Sequence, residues 1–240
     1  MTVNALTIWG LSKEAPSGFG DHRGAAFCAL PLHHQRVLLE QGVRQALGPG
    51  EILFRRDDPA RGFYGVVHGT LKVSTLRTDG NEAILAVLGP GDWFGETSLV
   101  TGTRREHDVT AIEPTQLMKV DARCFSIMLR DAEFSLAIAR LMASRIHRLY
   151  AALEDSALKP GPEQIARRLL WLARGDIGGT AKPSTSLRIS HETLAMMLGI
   201  TRQTLAKQLR RLAVAGCIGQ KYGRIEITSM ARLQKAAAAA

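Results

Sequence analysis

Between Gly95 and Val109 the chain reads GETSLVTGTRREHDV, and three residue types in it could together seat a sugar phosphate. Gly95 follows an apolar run and lets the backbone turn with its amides exposed. Glu96 offers a carboxylate for sugar hydroxyl protons, and Arg105 returns from the far side of the loop as a forked cation able to neutralise a phosphate. Glu96 and Arg105 could equally form a structural ion pair, because turn glycines and neighbouring opposite charges are common. No nucleophile stands beside a base, so the chemistry indicated is binding rather than catalysis.

The second stretch is Ile189 to Leu212, ISHETLAMMLGITRQTLAKQLRRL. It reads as two short helices joined by a glycine turn. Ala195 is small where two helix axes approach, Gly199 supplies a turn with positive φ, and Leu205 returns to the shared core. Leu194, Met197, Leu198 and Ile200 pack inward. Thr201 sits where an N-cap belongs, so Arg202, Gln203, Thr204 and Lys207 face outward at the leading end of the second helix, where long donors can reach base edges in a major groove. Ser190, at the start of the first helix, joins them as a DNA-binding candidate. An ordinary helical hairpin would share the small residues and the glycine, but charge favours DNA. Residues 160–240 hold 13 Lys/Arg against 4 Asp/Glu, whereas residues 1–159 hold 18 of each, so the whole net charge of +9 lies in the last third.

The elements that position these stretches suggest an α+β chain of two domains. Residues 1–29, broken by Pro16, Gly18 and Gly20, read as a loose arm, and Leu30 to Gln45 reads as helical. His33 and His34 lie in that helix; being adjacent, they point to different faces, which predicts two solvated side chains and no metal pair. From Gly48 to Val120 short alternating strands are separated by turns at Thr78-Asp79-Gly80-Asn81 and Gly89-Pro90-Gly91-Asp92, the texture of a small antiparallel β-roll. Asp131 to Leu158 reads as one long helix in which Phe134, Ile138, Leu141, Met142, Leu149 and Leu153 form a dimer seam. Lys159-Pro160-Gly161-Pro162 ends it as a hinge. Glu163 to Ala173 follows as a packing helix, and Gly175 to Ser184 as a flexible connector. The predicted division is an arm at 1–29, a sensor roll at 30–130, a dimerisation helix at 131–159, a DNA-binding domain at 160–235 and an alanine tail at 236–240 that has no assigned role. Cys28, Cys124 and Cys217 have no paired spacing and suggest neither disulfide nor metal cluster. No apolar run of membrane-spanning length and no signal segment is present, which predicts a cytoplasmic protein.

The order of a β-roll with GPGDWFGETSLVTGTRR, a long helix and a helix-turn-helix resembles the family of the cyclic-AMP receptor protein and the fumarate and nitrate reduction regulator. The likeness spans about Gln45 to Met230. It implies a homodimeric transcription factor, not an enzyme, that binds a palindromic site in double-stranded DNA and acts with RNA polymerase under control of a cyclic nucleotide. Gly95, Glu96 and Ser98 match the cassette that holds ribose and phosphate, and Arg105 matches its phosphate-binding arginine. CIGQKYGRIEITSM resembles the β-wing, with Lys221 and Arg224 flanking the Tyr222-Gly223 turn as phosphate contacts. Arg202 matches the guanine-reading arginine. Gln203 stands where the cyclic-AMP receptor has Glu, and Lys207 where it has Arg, so a related but different palindrome is expected.

Two departures from the cyclic-AMP readers bear on the effector. Glu106 stands where they carry Ser or Thr, and a carboxylate about 4 Å from a phosphate costs about 4 kcal/mol at an effective dielectric near 20. Leu149 and Tyr150 replace the Thr-Ser pair that bonds adenine. An arginine beside a carboxylate suits a guanine edge, and an acidic residue here resembles the branch associated with cyclic di-GMP, which is therefore favoured over cyclic AMP. Arg104, Arg105, Glu106, Asp108, Arg145, Arg148 and Tyr150 are its candidate contacts. The alternatives are a cyclic-AMP-responsive regulator, a constitutive regulator with an unused roll and, most distantly, an enzyme controlled by a cyclic-nucleotide module.

Overall fold

The computed structural model describes residues 30, 32–76, 82–157, 161–174, 183–221 and 223–238. The arm with Cys28, the Thr78–Asn81 turn, Leu158 with the first two residues of the hinge, most of the 175–184 connector, Tyr222 and the end of the alanine run lie outside them.

The roll is two four-stranded antiparallel sheets, ordered β1-β8-β3-β6 and β2-β7-β4-β5. The strands are β1 (Val43–Leu47), β2 (Ile52–Phe54), β3 (Gly62–His68), β4 (Leu71–Leu76), β5 (Glu82–Leu88), β6 (Trp93–Phe94), β7 (Asp108–Ala111) and β8 (Thr115–Asp121). Strand β3, GFYGVVH, is apolar on both faces because both are covered. Tyr64 and Val66 point into the space between the sheets with Leu71, Leu88, Phe94 and Leu117. Phe63 and Val67 point the other way, into a second core with Trp93, Phe125 and Phe134. The Gly89–Asp92 turn forms as the sequence predicts, closed by the Asp92 amide on the Gly89 carbonyl at 3.0 Å.

That second core is roofed by helices α1 (Leu32–Glu40), α3 (Ala122–Met128) and α4 (Ala132–Ala157). Helix α1 is shorter than the sequence suggests. Val43–Leu47 pairs with Lys119–Thr115 as strand β1, so pairing with β8 overrides the helical continuation to Gln45. His34 is not solvated: it is 4% exposed and its Nε2 lies 3.2 Å from Asp131 Oδ1. Asp131 caps α4 by accepting the Glu133 and Phe134 amides, which hold its carboxyl below the usual aspartate range.

The apolar row of α4 is divided. Phe134, Ile138 and Met142 pack on the chain's own roll, and buried Leu141 faces the same Phe63 and Trp93, rather than forming a seam. Burial of Phe134, Ile138 and Leu141 contributes at most roughly 5–9 kcal/mol, ample to fix this half of the helix intramolecularly. Farther along, Ile146, Leu149, Tyr150 and Leu153 stay exposed.

Gly161 is the N-cap of α5 (Pro162–Ala173), with Pro162 at its first turn. The domain it opens contains β9 (Ser186–Leu187), α6 (His191–Leu198), α7 (Arg202–Val214), β10 (Ile218–Lys221), β11 (Arg224–Ile227) and α8 (Met230–Ala237) around Ile165, Leu169, Leu194, Leu205, Leu209 and Ile225. The alanine run is not an idle tail. Ala237 is buried, and its carbonyl accepts Arg167 Nη1 at 2.9 Å, which ties α8 to α5.

Candidate functional site

The cassette forms where β6 hands the chain to a short helix, α2 (Glu96–Thr101), in a segment that reads as loop from sequence. Gly95 is the N-cap at φ 92°, a conformation open to glycine, and an added Cβ would lie 3.0 Å from Arg105 Nη1 and 3.1 Å from the Gly62 carbonyl. Glu96 is fully buried and Ser98 nearly so. Arg105 is 3% exposed. It donates from Nη1 to the Gly95 carbonyl at 2.8 Å and from Nη2 to the Gly62 carbonyl at 2.7 Å. Its guanidinium stacks 4.3 Å from the Phe54 ring centroid. Burial, opposed by the nearby Tyr64 and Glu96, lowers its affinity for its proton relative to free arginine.

Arg105 and Glu96 are therefore not a simple ion pair. The partner of Glu96 is Arg145, which reaches from α4 to Glu96 Oε1 with Nη1 and to the Trp93 carbonyl with Nη2. Glu96 Oε2, an acceptor, and the Nε donors of Arg105 and Arg145 are buried without a partner among the described residues. A ligand offering a hydroxyl and an anionic oxygen matches the first two.

Gly95, Glu96, Ser98, Arg105 and Arg145 thus come together, and the other candidates stand apart. Glu106, unlike the buried Arg105 before it, is exposed to solvent. Arg104, also exposed, donates to the Asp57 carbonyl at 2.7 Å, and Asp108 accepts the Arg56 amide at 2.7 Å. On α4, Arg148 donates to Ser144 Oγ at 3.0 Å, while Tyr150 is 63% exposed.

The second surface lies on α6 and α7. Ser190 caps α6 by accepting the Thr193 amide at 3.0 Å, and Thr201 caps α7 by accepting the Thr204 amide at 3.2 Å. Gly199 joins the helices at φ 63°. The Thr204 hydroxyl lies 2.9 Å from that of Thr201 and belongs to the cap. Arg202, Gln203 and Lys207 are exposed at the start of α7. Arg210, three residues beyond Lys207 and so on the same helical face, is exposed as well, a spacing legible in the sequence. On the wing Arg224 is exposed, and Lys221 Nζ lies 2.9 Å from Glu226 Oε1. That surface pair is worth at most about 1 kcal/mol.

Comparison with known proteins identifies both domains. Residues 44–132 match the cyclic nucleotide-binding domain and residues 163–236 the Crp-like helix-turn-helix domain. The chain is 28% identical over 193 residues to a CRP-like cAMP-activated global transcriptional regulator of Mycobacterium tuberculosis, covering 78% of this chain and 85% of that one. A CRP-family transcriptional regulator from Thermus thermophilus superposes with TM-score 0.64 at 26% identity, over 82% of this chain and 97% of that one. The c-di-GMP-responsive global regulator CLP of Xanthomonas campestris shares the fold, with TM-score 0.65 at 19% identity over 83% of this chain and all of that one. No helix among the described residues is long and apolar enough to cross a membrane. With a cyclic nucleotide-binding roll joined to a Crp-like DNA-binding domain, the chain belongs to the Crp/Fnr family of transcription regulators and is not an enzyme.

Proposed function

We propose that this regulator is a cytoplasmic homodimer that binds a palindromic promoter site, acts with RNA polymerase, and is controlled by a cyclic mononucleotide, cyclic AMP first. The observation that carries the effector reading is Glu96 Oε2, a fully buried carboxylate oxygen without a partner among the described residues, on the turn that also presents the spare Nε–H of Arg105. A ribose hydroxyl satisfies the first and a phosphate oxygen the second. The outward course of Glu106 removes the charge conflict that made cyclic AMP unfavourable on sequence grounds, and the cAMP-activated relative supports the same choice.

Cyclic di-GMP is the second reading, favoured by the exposed carboxylate of Glu106 next to the exposed Arg104, where a guanine edge could lie outside the cassette. Calorimetric titration with both nucleotides, on the parent and on Glu106→Ser, separates the two. Cyclic AMP binding unchanged by Glu106→Ser supports the first reading; cyclic di-GMP binding lost with that substitution supports the second. Failure of both nucleotides to bind overturns both readings and leaves a roll that is unused or tuned to another ligand.

The exposed row Ile146, Leu149, Tyr150 and Leu153 supplies the dimer seam. Leu149→Asp should convert the chain to monomers in analytical ultracentrifugation, and an unchanged dimer would move the seam elsewhere. On DNA, Arg202→Ala should cost about 1–3 kcal/mol at the cognate site with little change on random sequence. An equal loss on both, measured by salt-dependent fluorescence anisotropy, would reassign Arg202 to the phosphate backbone.

A further inference from the structure

A second site lies where α1 meets the start of α4, far in sequence from the cassette. His33, His34 and Asp131 each place a metal-ligating atom within 4.8 Å of the other two. The His34 Nε2 to Asp131 Oδ1 separation is 3.2 Å, and the two imidazole centroids are 3.9 Å apart. We propose that these three side chains bind a divalent transition-metal ion of the Zn²⁺ class, clamping α1 to the cap of α4.

Adjacent residues on a helix ordinarily diverge by about 100°, yet the start of α4 against α1 places both imidazoles beside one carboxylate. His34 is 4% exposed and rests against the Phe134 ring at 5.5 Å; its Nδ1 is buried without a partner among the described residues. An imidazole held this deeply is already oriented, so little entropy is lost on binding. In a tetrahedral site with bonds of about 2.0–2.1 Å, ligand atoms stand about 3.3–3.4 Å apart. The His34–Asp131 separation of 3.2 Å is close to that length. His33 is exposed, and its swing toward the other two closes the set while leaving a fourth position for water. Two nitrogens with one carboxylate select Zn²⁺, Co²⁺ or Ni²⁺ over Mg²⁺ and Ca²⁺, which take oxygen donors. The Glu133 and Phe134 amides both bond Oδ1 and keep the carboxylate oriented, leaving Oδ2 to ligate.

The placement gives the ion a structural consequence. Asp131 caps the helix that carries Arg145 to the cassette, so the ion stiffens the joint from which α4 leaves the roll.

The test is a titration of the purified full-length chain with Co²⁺, followed by d–d absorption, and with Zn²⁺, followed by calorimetry. Both are repeated on His33→Ala, which alters an exposed residue, and on Asp131→Asn, which keeps an oxygen for the cap. The expected result is one ion per chain with an intense tetrahedral spectrum and a loss of affinity on the order of 10-fold or more in each variant. A variant without Cys28, Cys124 and Cys217 should bind as the parent does. Binding that survives both substitutions, a thiolate-to-cobalt charge-transfer band, or no stoichiometric ion at all would overturn the site.

Discussion

Replacing Arg105 by alanine should lower the stability of the roll by roughly 3–5 kcal/mol, combining two orphaned buried carbonyls with the loss of a desolvated cation–π contact. The carbonyls are those of Gly95 and Gly62, and the ring is that of Phe54. Equilibrium urea unfolding read through Trp93 fluorescence measures the change. Arg105→Lys should recover little, because an ammonium cannot fork to both carbonyls while lying flat on the ring. A loss below about 1 kcal/mol would mean that water enters and satisfies the carbonyls. The arginine that the family resemblance assigns to phosphate is thus also a keystone of the fold itself, which is why effector binding should be compared only among variants whose roll remains folded.

Arg145→Ala should be comparably costly. Glu96 is fully buried and Arg145 is its partner, so the substitution strands a carboxylate away from water, at roughly 3–5 kcal/mol. Adding Glu96→Gln to Arg145→Ala removes the stranded charge and should restore most of the loss, giving a large coupling in a double-mutant cycle. If the double variant is no more stable than Arg145→Ala, the pair is not what holds the cassette to α4. On the proposed function, both variants also bind cyclic AMP more weakly, Glu96→Gln because one ribose acceptor is gone and Arg145→Ala because Glu96 is no longer held. Since Arg145 stands on α4 and Glu96 on the roll, the pair is a direct mechanical link between the cassette turn and the long helix.

The helix-turn-helix was legible from sequence almost residue by residue because its determinants are local. Ser190 and Thr201 cap helices a few residues away, Gly199 needs only its own backbone angle, and the periodicity of Leu194, Leu205 and Leu209 belongs to single helices. The residue types of the cassette were legible as well: Gly95, Glu96, Ser98 and Arg105 do meet at one turn. What local spacing could not supply was the choice of partners. Glu96 takes Arg145 from a helix distant in sequence, Arg105 turns to backbone carbonyls, and Glu106 faces solvent. The apolar row of α4 has a single period, but one half packs on its own roll while the other stays open. His33 and His34 diverge by helix geometry, yet meet over Asp131 because α4 begins beneath them. A chain written in periods and caps determines which elements form and which residue types lie near a turn; which charges pair and which apolar faces are covered depends on contacts across dozens of residues, and only the tertiary structure decided them.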